Sequence, residues 1–473
     1  MTRSVSATLL LAHDEGGLGD AGLSPALVLY VSVAMLVLVA VALRSTWTTA
    51  RLDPPEVVPA PARVSVMVIA GRAVTLALLA VLLLIGYYGS PTPGANLVPV
   101  AVYSAFWYGG LLVSVLVGDV WSAVHPAVTI VEAVDRVRGR KAEPSPARSM
   151  AGIGATGDAP QPYGIGLAGS PPDDLDDGED LDDVVTWWIP AALLVGFAVL
   201  WICWPGGVRP LPTTTFLVVW LAVMVGGGVE HGAGWVRRHD PFAILFSAVA
   251  ACSPVRWAGG RPSLLSPVRH LASRIRETGD LAVAVVLAVA LGATIFDGVR
   301  VSRTWTDLVG PRSLTSLGVM NTVGFVWVVL TVVAAWMLAT RAMDRSTGDG
   351  DPPATAVAFA PALAAVVVAD RLAHGLERFL LAGQNLISLA SDPFANGADL
   401  LGTVDWVDQP LLSATALAWV GLLLLLAGHL TALVVLHDRA VARYGPEVAA
   451  RTVWPVTAFL VASLVVALRL FGL

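Results

Sequence analysis

The sequence predicts an all-α, polytopic transmembrane helical bundle of about ten helices, and three observations predict it. The 473 residues are 56% hydrophobic and only 14% charged, with a mean hydropathy of +0.73, whereas soluble chains carry about a quarter charged residues. The apolar residues gather into runs close to the roughly 20 residues that a helix needs to cross a bilayer. Lysine and arginine concentrate in alternate connections between those runs. Apolar surface on this scale requires lipid as its solvent, and in lipid only helices or closed barrels satisfy the backbone.

Ten runs read as spans: residues 25–44, 66–85, 97–116, 187–204, 216–229, 281–296, 317–338, 354–372, 411–429 (extending to about 435) and 453–468. The runs at 216–229 and 281–296 are short. The connections that follow odd-numbered runs hold 20 Lys and Arg, and those that follow even-numbered runs hold 5. Short cytoplasmic loops hold the positive excess. This asymmetry therefore expects a plasma-membrane protein with both termini outside the cytoplasm. Residues 4–12 (SVSATLLLA), after Arg3, resemble a clipped export signal.

The net charge of −6 is misleading, because much of the acid lies in one run at 173–183, DDLDDGEDLDD. Together with the Pro, Gly and Ser around it, that run reads as a disordered acidic cytoplasmic linker over 143–185. It separates an N-terminal membrane part, 1–142 with three spans, from a C-terminal part, 186–473 with about seven. The single lysine, Lys141, against 28 arginines suggests a high-GC bacterial genome. Cys203 and Cys252 form no metal or disulfide pattern and read as small apolar fillers.

Residues 85–126 and 200–241 read as a parallel internal repeat. Each block leaves one span, turns through Pro and Gly, and crosses back. Each ends in Trp-x3-His with a proline beyond: Trp121, His125 and Pro126, then Trp235, His239, Asp240 and Pro241. An apolar, in-plane segment is expected after each.

Ionisable residues within a membrane are costly and point to function. Those expected near the outer face include His13, Asp297, Asp370, His374, Glu377, Arg378 and Gln384. Asp370 and His374 are four apart and share a face if the eighth helix continues through them. A carboxylate beside an imidazole orients it and raises its basicity, as a general base or metal ligand requires. The inner group includes His125, Glu230, His231, His239, Asp240, His429, His437 and Asp438. The sequence contains no HExxH, no Gly-x-Ser-x-Gly and no Walker loop. Its basic residues are dispersed and explained by topology, so nucleic acid is not an expected partner. The expected partners are the lipid bilayer and a small-molecule substrate.

Several stretches are similar to those of a known family. They are Ala12-His13, Asp240-Pro241-Phe242, Phe296-Asp297-Gly298, Ala373-His374, Gly383-Gln384, residues 387–393 (ISLASDP), Gly428-His429 and Leu436-His437-Asp438-Arg439. In these the chain resembles the fenitrothion hydrolases, polytopic bacterial membrane proteins common in actinobacteria. It departs from their pattern at Asp14, where glycine is usual, and at Pro361, where a histidine is expected. The resemblance implies hydrolysis of an organophosphate triester at an outer-face site, by a water activated with a divalent metal. Carried over, His374 would be base or ligand, Asp370 its orienting partner and Gln384 an orienting donor, with His13 and Asp297 as metal co-ligands. Two other classes stay open: a transporter or permease, and a metal-handling or assembly protein without catalysis.

Overall fold

The computed structural model describes residues 24–52, 66–139, 188–258, 261–274, 281–407 and 409–470. The expected export segment, His13 and the acidic linker lie outside the described residues. All ten apolar runs form helices. Seven are long and apolar enough to cross a membrane: α1 (Pro25–Thr46), α2 (Val66–Tyr88), α3 (Leu97–Val117), α7 (Pro210–His231), α11 (Leu281–Val299), α13 (Leu314–Thr347) and α17 (Ala414–Tyr444). Two bent pairs bring the number to nine if each is counted as one span. α14 (Pro352–Ala358) meets α15 (Ala360–Ala382) and its continuation to Ser391 at 49°, and α18 (Pro446–Thr452) meets α19 (Trp454–Leu470) at 47°. The remaining run, the fourth, is the shorter α6 (Trp188–Cys203). The chain is a multi-pass helical membrane protein.

Shorter helices lie between the spans: α4 (Val120–Val124), α5 (Pro126–Val137), α8 (Ala233–His239), α9 (Pro241–Ala250), α10 (Pro267–Arg274), α12 (Arg303–Val309) and α16 (Asn385–Ser391). One hairpin, β1 (Val255–Ala258) with β2 (Arg261–Leu264), precedes α10.

Helix ends follow local chemistry. Ser313 and Ser413 cap α13 and α17 by accepting the backbone N–H of Ser316 and Ala416. Gly348, at φ 79°, ends α13 in the left-handed conformation that a Cβ disfavours. α7 begins six residues before the apolar run. Pro210 is suited to the first helical turn. Thr213 and Thr214 donate their hydroxyls to the carbonyls of Arg209 and Pro210, which removes their polarity from the lipid. The eighth span breaks at Phe359, two residues before Pro361, whose ring cannot donate a helical hydrogen bond.

The two repeat blocks are built alike. α3 and α7 both stop at a glycine of nearly the same conformation, Gly118 at φ 101°, ψ −164° and Gly232 at φ 89°, ψ 169°. A short helix follows each, α4 with Trp121 and α8 with Trp235, and then a proline-initiated helix, α5 or α9.

α11 lies at the centre, with 89% of its apolar window buried. It is apolar on every side, as a helix surrounded by other helices must be. It packs closely on α13 at Gly292, where a Cβ would press on the Val329 backbone. α15 packs on α17 at Gly428, where a Cβ would overlap Ala369. α15 runs parallel to α11. Arg371 donates to the Ala290 carbonyl at 3.2 Å, and seven residues on in both helices Arg378 meets Asp297 at 2.7 Å.

At the opposite end of α17, Leu436-His437-Asp438-Arg439 ties four elements together. The His437 Nε2–H donates to the Trp47 carbonyl beyond α1, at 3.1 Å. Asp438 accepts the Trp47 indole N–H at 2.8 Å and the Arg51 backbone N–H at 2.6 Å. Arg439 donates to the carbonyls of Ala358 and Ala272, where its charge complements the C-terminal ends of α14 and α10. Arg443 pairs with Asp349 at the same end. The arginine-rich connections after α1, α13 and α17 therefore meet on one side of the bundle, as their alternation requires.

Asp438 is 1% exposed, so removing it strands two donors. Asp438→Ala is expected to cost on the order of 2 kcal/mol, read as a lower thermal midpoint of the detergent-solubilised protein. Asp438→Asn, which keeps one acceptor, is expected to recover part of the loss. An unchanged midpoint in Asp438→Ala would remove the clamp from α1.

Candidate functional site

The two halves of α15 differ in kind. Residues 360–369 are all apolar and buried. From Asp370 onward the helix carries Asp370, Arg371, His374, Glu377 and Arg378. Asp370, Arg371 and Arg378 are 1%, 4% and 7% exposed, inside a candidate span. A polar column thus runs along half of α15 and stops at mid-helix.

Helical spacing produces the first feature of the column. The helix continues through His374, as expected, so the His374 ring lies over Asp370. Its Nδ1–H donates to the Asp370 carbonyl at 2.9 Å and lies 3.5 Å from Oδ1 of the Asp370 side chain. That bond leaves the imidazole lone pair at Nε2.

The next layer is an ion-pair network between helices. Asp297, in the last turn of α11, accepts from Arg300 one turn on, at 2.9 and 3.0 Å, and from Arg378 of α15 at 2.7 Å. One carboxylate therefore serves two guanidiniums. The Tyr108 side chain interacts electrostatically with both Arg371 and Arg378. It comes from α3, which winds as a π-helix over Ala101–Gly109, a geometry frequent at functional sites. Tyr108 approaches α15 so closely at Gly375 that a Cβ there would overlap its ring. Each guanidinium also faces an indole: Arg371 lies 4.7 Å from the Trp107 ring centre and Arg378 lies 5.9 Å from that of Trp201. Among the described residues, Asp370 Oδ2, Arg371 Nε and Ser104 Oγ are buried polar atoms with no hydrogen-bond partner.

The remaining expected site residues fall as follows. Gln384 closes the loop after α16: its amide N–H groups donate to the Leu380 and Gln409 carbonyls, both at 2.7 Å, and Oε1 accepts the Gln409 N–H at 3.1 Å. His13 lies outside the described residues. Asp297 and His374 belong to one column, but among the described residues no three His, Cys, Asp or Glu side chains come together as a metal-ligand set. Arg371, Tyr108, Trp107 and Ser104 are additions from the structure. Only Arg371 had a signal, a cation just past an apolar run.

The inner group forms separate nodes. His125 and Asp240, from opposite repeat blocks, meet at 2.9 Å and are both fully buried at the side chain. The His125 Nδ1 accepts the Val128 N–H, so its Nε2–H donates to Asp240. Asp240 also accepts the indole N–H groups of Trp220 at 2.8 Å and Trp121 at 3.1 Å, and the backbone N–H groups of Phe242 and Ala243 as the cap of α9. Burial pushes this carboxyl up, but the hydrogen bonds from His125, Trp220 and Trp121 outweigh it and hold it below the usual aspartate range. His429 and His437 do not share a site. His429 is held by the Leu425 carbonyl and the Ser463 hydroxyl, and His437 by Trp47.

Comparison with known proteins finds no match: no family model, no curated protein and no solved structure matches the chain.

Because the folded value of Asp240 lies below its unfolded one, its contribution is complete above about pH 4 and is lost as pH falls through the folded value. Unfolding of the wild type is expected to show no loss from this group between about pH 5 and 7 and a steep loss below about pH 4. Asp240→Asn turns an N–H group toward existing donors. It is expected to lose roughly 3 kcal/mol at neutral pH and to flatten the acid limb. Thermal midpoints across this range check both, and a variant that tracks the wild type would show that the node adds nothing.

Proposed function

We propose that this protein is a proton-coupled membrane transporter whose working site is the polar column of α15. The single observation that supports this most is the position of Asp370 and His374. They end a buried run of ionisable side chains at mid-helix, with a purely apolar half-helix beyond them. Ionisable groups so placed mark proton relays and solute pathways, and solute sites of secondary transporters lie near the bilayer midplane. With the arginine-rich end in the cytoplasm, the polar half of α15 lies toward the outer face. Asp370 and His374 exchange the proton, and the Arg378–Asp297–Arg300 network holds α15 and α11 in register around them.

Hydrolysis of an organophosphate triester, which the family resemblance implies, is the second reading. One feature favours it: the Asp370 carbonyl holds the His374 tautomer whose Nε2 lone pair suits a general base.

Reconstitution separates the two. Proteoliposomes of the wild type, loaded with a pH-sensitive dye, are expected to dissipate an imposed pH gradient. Asp370→Asn and His374→Ala are expected to slow this by at least roughly tenfold, about 1.4 kcal/mol in the barrier. Release of nitrophenol from an aryl phosphotriester, lost in His374→Ala with no proton flux in any sample, would replace transport by hydrolysis.

A further inference from the structure

We infer that the Asp370–Arg371 step of α15 binds a small oxyanion, of the carboxylate or phosphate class, together with one proton. This deepens the transport reading and rests on the same column.

The charge arrangement comes first. Asp297 is already shared by Arg300 and Arg378. Arg371, 4% exposed, hydrogen-bonds to no carboxylate among the described residues. It donates to the Ala290 carbonyl, lies over Trp107 and interacts electrostatically with Tyr108. Its hydrogen-bonding groups are neutral, and the carboxylates that act on it through space, Asp297 and the adjacent Asp370, make no hydrogen bond to it, so the ion pair is incomplete, and charges out of water demand a partner. The unpartnered Nε–H of Arg371 is a donor edge of the kind that carboxylate and phosphate oxygens accept. The Trp107 ring, its centre 4.7 Å from the guanidinium carbon, helps to hold the cation in place.

The adjacent Asp370 explains the proton. Its Oδ2 is also unpartnered, and the residue is 1% exposed. As a carboxylate it would repel an anion bound at Arg371. With one proton taken from bulk water, the carboxylic acid becomes a donor, so acid and guanidinium hold the anion between them. No covalent bond changes: one proton and one anion enter together, and the site gains no net charge. The titratable groups that act on this step are His374 on α15 itself, Asp297 from α11 and Tyr108 from α3, while His429 of α17, next to the Gly428 contact, is engaged by the Leu425 carbonyl and the Ser463 hydroxyl. α9 and residues 281–296 of α11 bring none.

Isothermal titration calorimetry on the full-length protein in detergent tests this. Sodium acetate and sodium phosphate are the probes and sodium chloride is the control, at pH 5.5 and pH 8, in buffers of different ionisation heat. The expected result is saturable binding of one oxyanion, at least roughly tenfold tighter at pH 5.5, with about one proton taken up per anion. Which salt gives the heat distinguishes carboxylate from phosphate. Arg371→Gln is expected to weaken binding by at least about tenfold. Asp370→Asn, which mimics the protonated acid, is expected to bind with little proton uptake at either pH. No saturable heat from either salt, or binding without proton uptake by the wild type, overturns the inference. Wild-type affinity in Arg371→Gln does so too. If Arg371→Gln does not purify folded, the wild-type proton count and Asp370→Asn decide. Anion binding without flux in liposomes retires the transport reading and keeps this one. Proton flux with no anion binding does the reverse.

Discussion

The bond between Arg378 and Asp297 is the constraint on which the middle of this bundle depends. A charge within a span is tolerated only when another group answers it, and here the answer comes from a different helix. The pair sets α15 parallel to α11 in a single register, since Arg371 and Ala290 meet seven residues back on both. A slip by one residue would strand both guanidiniums in an apolar wall. Breaking a buried pair of this kind typically costs about 3–5 kcal/mol, more than the close packing at any one glycine contributes. The apolar half of α15 is then free to pack tightly, with Ala369 against Gly428 of α17.

The same rule recurs at two other carboxylates. Asp240 gathers donors from both repeat blocks and caps α9, and Asp438 gathers Trp47 and Arg51. Both are answered by several neutral donors and serve to join elements. Asp370 differs: its second oxygen is unanswered, and so is the Nε of the neighbouring Arg371. That difference separates a group that holds the fold from one available for a proton and a ligand.

Much of the architecture was legible from the sequence because lipid simplifies the problem. The number of apolar runs and the alternation of arginine between connections lead directly to helices and to a shared end for the loops after α1, α13 and α17. Asp370 with His374 was legible too, because four-residue spacing is a local property of a helix. The early start of α7 was not, since Thr213 and Thr214 look polar until their hydroxyls turn back on the helix. Gln384 reads as a polar group beside a site, but its partners lie across a loop at Gln409, at a distance in sequence that no period reveals.

By itself, then, the sequence determined that the chain is a multi-pass helical membrane protein, where its spans lie and which connections lie together. Those properties depend on the length and polarity of contiguous segments. Only the tertiary structure decided which charges meet: that Arg378 reaches Asp297, that His125 reaches Asp240, that Tyr108 and Trp107 of a π-wound helix face Arg371, and that Asp370 is left with an oxygen unanswered. Partners in a low-dielectric interior are chosen by helix packing between segments far apart in the chain, and no local pattern encodes that choice.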